Sequence, residues 1–507
     1  MIFHSTNSSR KTGVILVNVL VFATIAIVIT TALVQWGGTI LKNETQLTNS
    51  QEAFEIAESG IDYYKWHLNN LPTDYYDGNA SNTSPGPYVH SFQDKDGTTI
   101  GQFSLRITPP ATGTTIVTVK STGTSSTTPS VSRSIQAQFA IPSFAQYAVV
   151  ANDNMNFGAG TVTYGPIQSN YGIHFDGVAH NIVSSALSTY EDPDCIANGG
   201  TNAQCKEYAV YTTGDSQPPT TQPLDSDVFL AGREFPVPTV DFVGITTNLN
   251  NLASIATAEK NGSYTYNYTS SGAQGYYIHL NTNDTFDVYK VNSIVSLSNS
   301  CSNNVTARSE SGWSSWDINK KTLVKSGVPF PSSGVIFFQD NLWVDGSINT
   351  ARLTIAAGIP GATSNYANIT IDDNVTYTNF DGRDVIGLIA QGNVNVGFES
   401  ADNLTIDAAL VAQNGRIGRY YYSSSCTSPT DSDYPRNSGN RYYYGRTTIN
   451  LLGMLATNQR YGFAWSDDTG YTNRDINYDS NLLYGPPPSF PLASSQYSTI
   501  SWKEVSN

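Results

Sequence analysis

Residues 10–34 read RKTGVILVNVLVFATIAIVITTALV: two basic residues, a threonine and a glycine, then an uncharged apolar run. Val14 to Val34 is 21 residues, and at about 1.5 Å each it spans about 30 Å, the thickness of a bilayer's hydrocarbon core. Only Asn18, Thr24, Thr30 and Thr31 interrupt it as polar residues, and the next charge is Lys42. With the basic residues on its N-terminal side, the positive-inside rule leaves residues 1–13 in the cytoplasm and exports the chain beyond Lys42. Past the run, apolar or small residues fall at Leu47, Ser50, Phe54, Ala57, Ile61, Tyr64 and Leu68. These steps alternate between three and four, the period of a helix burying one narrow stripe. No proline occurs between Met1 and Leu71, so the pattern predicts one helix over 14–70, about 85 Å long. The alternatives are a signal anchor followed by a separate amphipathic helix, or a cleaved secretory signal. The second would want a shorter core and a small-x-small site, and Gln35-Trp36-Gly37-Gly38 supplies none.

These residues resemble the N-termini of type IV pilins, particularly PilX-type minor pilins. The leader 1–13 ends in Arg10-Lys11-Thr12-Gly13 against the apolar run, the helix continues as an amphipathic stem, and Ala53-Phe54-Glu55-Ile56-Ala57-Glu58-Ser59-Gly60 matches the Ala-Glu-Ser-Gly character of the family. The resemblance covers about the first 70 residues. It implies cleavage between Gly13 and Val14 by a prepilin peptidase, residence in the inner membrane before assembly, and packing with other pilin subunits through Asn18, Leu47, Phe54, Ala57, Ile61 and Tyr64. Shaft pilins of the family usually carry Glu at the fifth mature position, where it pairs with a neighbouring N-terminal amine; here that position is Asn18. A subunit without this buried carboxylate fits the filament tip best.

The rest of the chain is acidic and polar. Net charge is −15, and 13 % of residues are charged, well under the roughly 25 % of average domains. Gly, Ser, Thr, Asn and 31 Tyr fill the gap, a profile that suits an extracellular β-rich surface and excludes nucleic acid as a partner. Such a length predicts two or more domains. Four cysteines, Cys195, Cys205, Cys301 and Cys426, include no Cys-x-x-Cys pair. In an exported chain disulfides are the better reading, Cys195 with Cys205 and then Cys301 with Cys426, against free thiols.

The fold class expected is α+β, mainly β. After a loop at 71–90, residues 71–142 read as a small β domain with alternating strands at Gly101–Ile107, Thr115–Lys120 and Val131–Phe139. Residues 143–507 read as a large β-helix-like domain of short strands punctuated by Gly and Asn, without a fixed period. An inserted helix at Val243–Glu259 and a hairpin of Tyr276–Leu280 with Thr285–Val291 interrupt it, and Tyr484–Pro491 reads as an extended strap.

Motifs for catalysis are sparse. His174, Asp176 and His180 could approach a metal, and Asp372-Asp373-Asn374 offers oxygen ligands, but both read better as surface polar residues. Neither a metal nor a cofactor is expected, and the chain is not read as an enzyme. Tyr420-Tyr421-Tyr422 and Tyr442-Tyr443-Tyr444, with Arg416, Arg419, Arg441 and Arg446 nearby, form the candidate binding surface for a surface or carbohydrate ligand, although aromatic ladders also staple sheets. The function expected is a minor pilin-like tip subunit displaying an adhesive or capping β domain. The alternatives are a surface-anchored polysaccharide-active enzyme, which a groove lined by Asp and Glu on neighbouring rungs would favour, and an envelope protein outside any filament.

Overall fold

The computed structural model describes residues 10–79, 85–111, 114–259, 263–264, 274–302, 312–426, 443–492 and 495–506. They divide into two units: Met1–Pro109 with Val117–Phe139 and Tyr497–Asn507, and Pro110–Ile116 with Ala140–Gln496.

The first unit is built on one unbroken helix, Arg10–Asn70, as the absence of proline and the stripe predict. Its segment from Ile15 is long and apolar enough to cross a membrane. Ala53, Ile56, Ala57, Ile61, Tyr64 and Leu68 are buried. They face a sheet whose strands run Tyr88–Gln93, Thr99–Thr108, Val117–Ser125, Ser132–Ala140 and Ser498–Val505. The buried side of that sheet is supplied by alternate residues such as Phe103, Leu105, Ile107, Val117, Val119, Ile135 and Phe139. Helix and sheet approach closely because small residues meet. A Cβ on Gly123 would overlap the backbone of Ala53 and Ala57, and one on Gly60 would overlap Ser121 and Phe103.

Two of the five strands differ from expectation. Tyr88–Gln93 begins inside the stretch read as a loop, and Ser498–Val505 arrives from the far end of the chain. The last strand is held locally: Arg133 pairs with Glu504, Ser501 Oγ donates to Gln138 Oε1 at 2.9 Å, and the Tyr497 N–H donates to Asn69 Oδ1 at 2.6 Å. The second unit is therefore an insertion between two strands of the first, and the expected boundary 143–507 is corrected at its C-terminal end.

The second unit is a stack of short parallel strands on three faces. On the first face the inward residues line up as Ile336, Ile355, Leu388, Leu410, Leu455, Val149, Ile167 and Val183, each in register with the next. Ile278, Val344, Ile371 and Val396 make such a column on the second face. Val375, Ile406, Leu451, Ile476 and Thr163 make one on the third. The apolar members of these columns belong to one core.

In the first column, residues 149–183 stack beyond residue 455, so the chain enters the stack at its middle. The inserted helix, Val243–Ala258, lies on the connection between the two halves. It lays Leu249, Leu252 and Ala256 on the outer side of the first face, against Val335, Phe337, Ala356, Val385, Ile389 and neighbours. Strands such as Val335–Phe338 and Val385–Ala390 are thus buried on both sides, which is why they read as unbroken apolar runs. The hairpin is present as Gly275–Asn281 with Thr285–Ile294, and a further antiparallel strand, Ile318–Pro329, extends it.

Asparagine ladders hold the corners. Asn341 Oδ1 accepts from the Asn368 N–H at 2.9 Å, Asn368 Oδ1 from Asn393 at 2.8 Å, and Asn393 Oδ1 from Arg416 at 2.9 Å. A second ladder joins Asn458, Asn152 and Asn170 through side-chain amides at 3.0 and 2.8 Å. The strap is anchored by Arg352, whose guanidinium donates to the carbonyls of Gly485 at 2.6 Å and Pro486 at 2.9 Å.

Candidate functional site

The hairpin and the second face combine into one outward surface. In register, His279 lies opposite Asp287 on one side and Asp345 on the other. Asp372 follows Ile371, the partner of Val344. Asp287, His279, Asp345 and Asp372 therefore form a row crossing four strands, each about 4.8 Å from the next. Two residues away along each strand runs a parallel row of Tyr289, Tyr277 and Trp343, because alternate residues share a face.

Asp345 is the most constrained member. It accepts from the Tyr277 hydroxyl at 2.8 and 3.0 Å and lies 2.6 Å from His279 Nδ1. A proton on Nδ1 shared with this carboxylate leaves Nε2 with the lone pair in the neutral ring. Lys321 Nζ sits 3.7 Å from the Tyr277 ring centroid, a cation–π contact. Burial, then the neighbouring Asp345 carboxylate, pushes the Asp372 carboxyl up to about 7. Further along, buried Asp317 accepts from the Glu399 N–H at 3.0 Å, and burial followed by the Glu399 charge holds its carboxyl well above the usual range. Asp372, whose carboxyl burial holds protonated to higher pH, stands one strand from Asp345, and two carboxyl groups so placed are an arrangement able to serve acid–base chemistry on a glycosidic bond.

The Asp372 shift has a measurable sign. In the unfolded chain such a carboxyl ionises near 4, so the folded state holds the proton over a wider range. The stability this contributes is present below about 4 and lost as pH rises through about 7. Asp372→Asn is expected to raise the melting temperature of the head at pH 8 and to leave it unchanged at pH 4, as read by thermal denaturation.

The residues singled out from sequence have separate fates. Gly13 and Val14 lie within the helix, and Asn18 is exposed on it. Leu47 is 70 % exposed, whereas Ala57, Ile61 and Tyr64 are buried against the chain's own sheet; the Tyr64 hydroxyl also donates to the Asp74 carbonyl at 2.9 Å. Phe54 is half-buried, edge-on to Trp502 at 5.9 Å. The stripe thus splits near residue 50: from Ala53 to Leu68 it is buried against the unit's own sheet, and Leu47 before it is exposed.

Cys195 bridges Cys205 and Cys301 bridges Cys426. The tyrosine triplets divide. Tyr420 and Tyr422 are buried in one aromatic core with Tyr277, Trp316, Trp343, Phe398, Cys301 and Cys426. Tyr443 and Tyr444 pack at its edge, and Tyr421 donates to Asp467 Oδ2 at 2.8 Å. Arg419 and Arg446 are buried as well, so they present no surface charge. Tyr442 and Arg441 lie outside the described residues. Among the described residues no trio of His, Cys, Asp and Glu is placed to hold a metal. His174 Nε2 lies 3.1 Å from Asp176 Oδ2, while His180 stacks on Tyr164 at 4.1 Å.

The row Asp287, His279, Asp345, Asp372 was not singled out from the sequence, yet signals exist. A hairpin turning at 281–284 itself pairs residue 279 with 287. Asp345 and Asp372 each follow an aliphatic of the same column, 27 residues apart.

No family model matches the chain, and no curated protein does. Among solved structures, the crystal structure of the competence-associated pilin ComZ from Thermus thermophilus aligns over 90 % of this chain and 98 % of its own, at 13 % identity and a TM-score of 0.28. At that score the likeness carries no argument, and the functional reading rests on the chain's own residues.

Proposed function

We propose that this chain is a minor pilin-like filament subunit, membrane-anchored through its helix before assembly, which displays its inserted unit, a β-helix, as an adhesive or capping head near the filament tip. The observation that carries the reading is the division of the helix. From Ile15 to Leu41 it exposes large aliphatic residues around its surface, while residues 53–68 are fixed to an antiparallel sheet. A helix so divided is satisfied first by lipid and then by the apolar helices of other subunits. Asn18, in place of a buried acid that would need a cationic partner, supports the tip position. Leader removal after Gly13 by a prepilin peptidase is part of the same proposal. The work is assembly and binding, without turnover. To test it, Leu33→Cys is introduced and filaments sheared from cells are oxidised. Cross-linked adducts with other pilins are expected; a chain found wholly in the membrane fraction and free of adducts would contradict the proposal.

One observation supports a second reading, a surface-anchored polysaccharide-active enzyme: Asp372, its carboxyl raised by burial to about 7, stands one strand from Asp345. Release of reducing ends from neutral polysaccharides, abolished by Asp372→Asn, is its expected sign, and no release by the native chain removes it.

A further inference from the structure

We infer that the strand Ile318–Pro329 is a docking surface for an anionic lipid membrane. The inference rests on the displayed-head reading for its location outside the cell, and on the strand's own residues for its chemistry. Asn319 to Gly327 are all exposed. Within them stand Lys320, Lys321 and Lys325, with no acidic residue on the strand, in a chain of 41 acidic and 26 basic residues. Many of the head's other cations are committed internally. Arg352 binds the strap, Arg419 and Arg474 donate to backbone carbonyls, and Arg233 and Arg460 pair with aspartates. Lys321 itself rests on the Tyr277 ring at 3.7 Å, so Lys320 and Lys325 carry the strand's outward positive charge.

The second feature is apolar. Leu323 and Val324, between the lysines, are 52 % and 44 % exposed. Val324 is the extra residue of a bulge, between Leu323 opposite Tyr289 and Lys325 opposite Val288, and a strand lying edge-on in the headgroup layer would bury both side chains. The two aliphatic side chains would reach the acyl boundary while the lysine stems extend their ammonium groups to lipid phosphates. An anionic glycan would satisfy the lysines and leave the aliphatic pair in water, which is why the lipid surface is the occupant favoured. Of the acids nearby, Asp287 lies on the paired strand, its Oδ1 taken up by the Gly327 N–H at 2.7 Å, while Asp345 and Asp372 lie two and three strands beyond it.

The test uses the full chain, its helix already embedded in nanodiscs of phosphatidylcholine, mixed with sucrose-loaded vesicles. Sedimentation with vesicles containing phosphatidylglycerol, and not with phosphatidylcholine alone, is expected, and it weakens with salt. Replacing Lys320, Lys321 and Lys325 by serine lowers the affinity about 100-fold, at about fivefold per lysine, and Leu323→Ser with Val324→Ser lowers it about tenfold. All five side chains are exposed, and far-UV circular dichroism checks the fold. Equal binding to both vesicle types, or binding unaffected by the lysine changes, overturns the inference. So does full competition by soluble dextran sulfate together with indifference to the Leu323 and Val324 changes, since that marks a polyanion site. A chain that keeps Met1 in the cell yet still binds these vesicles would sink the pilin reading and leave the docking strand standing.

Discussion

Gly123→Leu is expected to detach the stem helix from its sheet. Gly123 sits in the strand Val117–Ser125 where the helix crosses most closely, and even a methyl group there would overlap backbone atoms of Ala53 and Ala57. Backbone cannot swing aside as a flexible side chain can, so the helix itself must move. That withdraws Ile56, Ile61, Tyr64 and Leu68 from the core they share with Phe103, Leu105 and Phe139. Overpacking costs typically about 1–3 kcal/mol, and displacing a helix from a closely approached strand belongs at or beyond the upper end. For a small domain, about 3 kcal/mol lowers the melting temperature by roughly 10 °C or more. Thermal unfolding followed by circular dichroism, with proteolysis near residue 70 as a second readout, checks it. Gly123→Ala is expected to show the same effect, smaller. The close approach also gives the small residues of Ala53 to Gly60 a physical role, since bulkier residues there would hold helix and sheet apart.

Arg419→Met is expected to be the most damaging single change in the head. Arg419 is fully buried and supports the chain around the aromatic core. Its guanidinium donates to the carbonyls of Phe398 at 2.8 Å, Tyr444 at 3.2 Å and Gly397 at 3.4 Å, and to Tyr443. It also lies 4.8 Å from the Tyr422 ring centroid. Burial, then the charge of Arg446, lowers its pKa to about 10, so the site strains against the charge yet still holds it at neutral pH. Methionine fills the volume and donates nothing, leaving several buried carbonyls unpaired at about 1–3 kcal/mol each. Relief from burying a charge offsets part of this, and the net loss expected is about 3 kcal/mol. Chemical denaturation measures it. Arg419→Lys is expected to recover only part, because a single ammonium does not reproduce the planar fork.

Periodicity made the stem legible. Steps of three and four from Leu47 to Leu68 sufficed to place one helix, though they could not say that Ala57, Ile61 and Tyr64 would be buried by the subunit itself. That depends on a sheet whose last strand, Ser498–Val505, lies at the far end of the sequence. The head was legible as short apolar strands because Val335–Phe338 and Val385–Ala390 face two cores at once. Its period was not, because the chain between rungs varies: Val344, Ile371, Val396 and Arg419 stack at steps of 27, 25 and 23, while Val149, Ile167 and Val183 step by 18 and 16. The punctuation that does recur is the polar residue just after most strands of the first face, seen in Ala390-Gln391, Ala412-Gln413, Thr457-Asn458, Ala151-Asn152 and Ser169-Asn170, while Ala357 and Ser185 are followed by Gly358 and Ala186. The tyrosine triplets were ambiguous for a plain reason: aromatic, Ser and Gly composition is shared by binding loops and by disulfide-stapled cores, and burial places Tyr420 and Tyr422 in the core.

On the reading proposed above, residues 1–13 are a prepilin leader in front of a helix destined for a filament. Mass spectrometry of the N-terminus of chain recovered from sheared filaments or the native envelope tests it most directly. A chain beginning at Val14, with an added N-terminal methyl group, is expected. An intact Met1, or a start beyond Trp36, would contradict it.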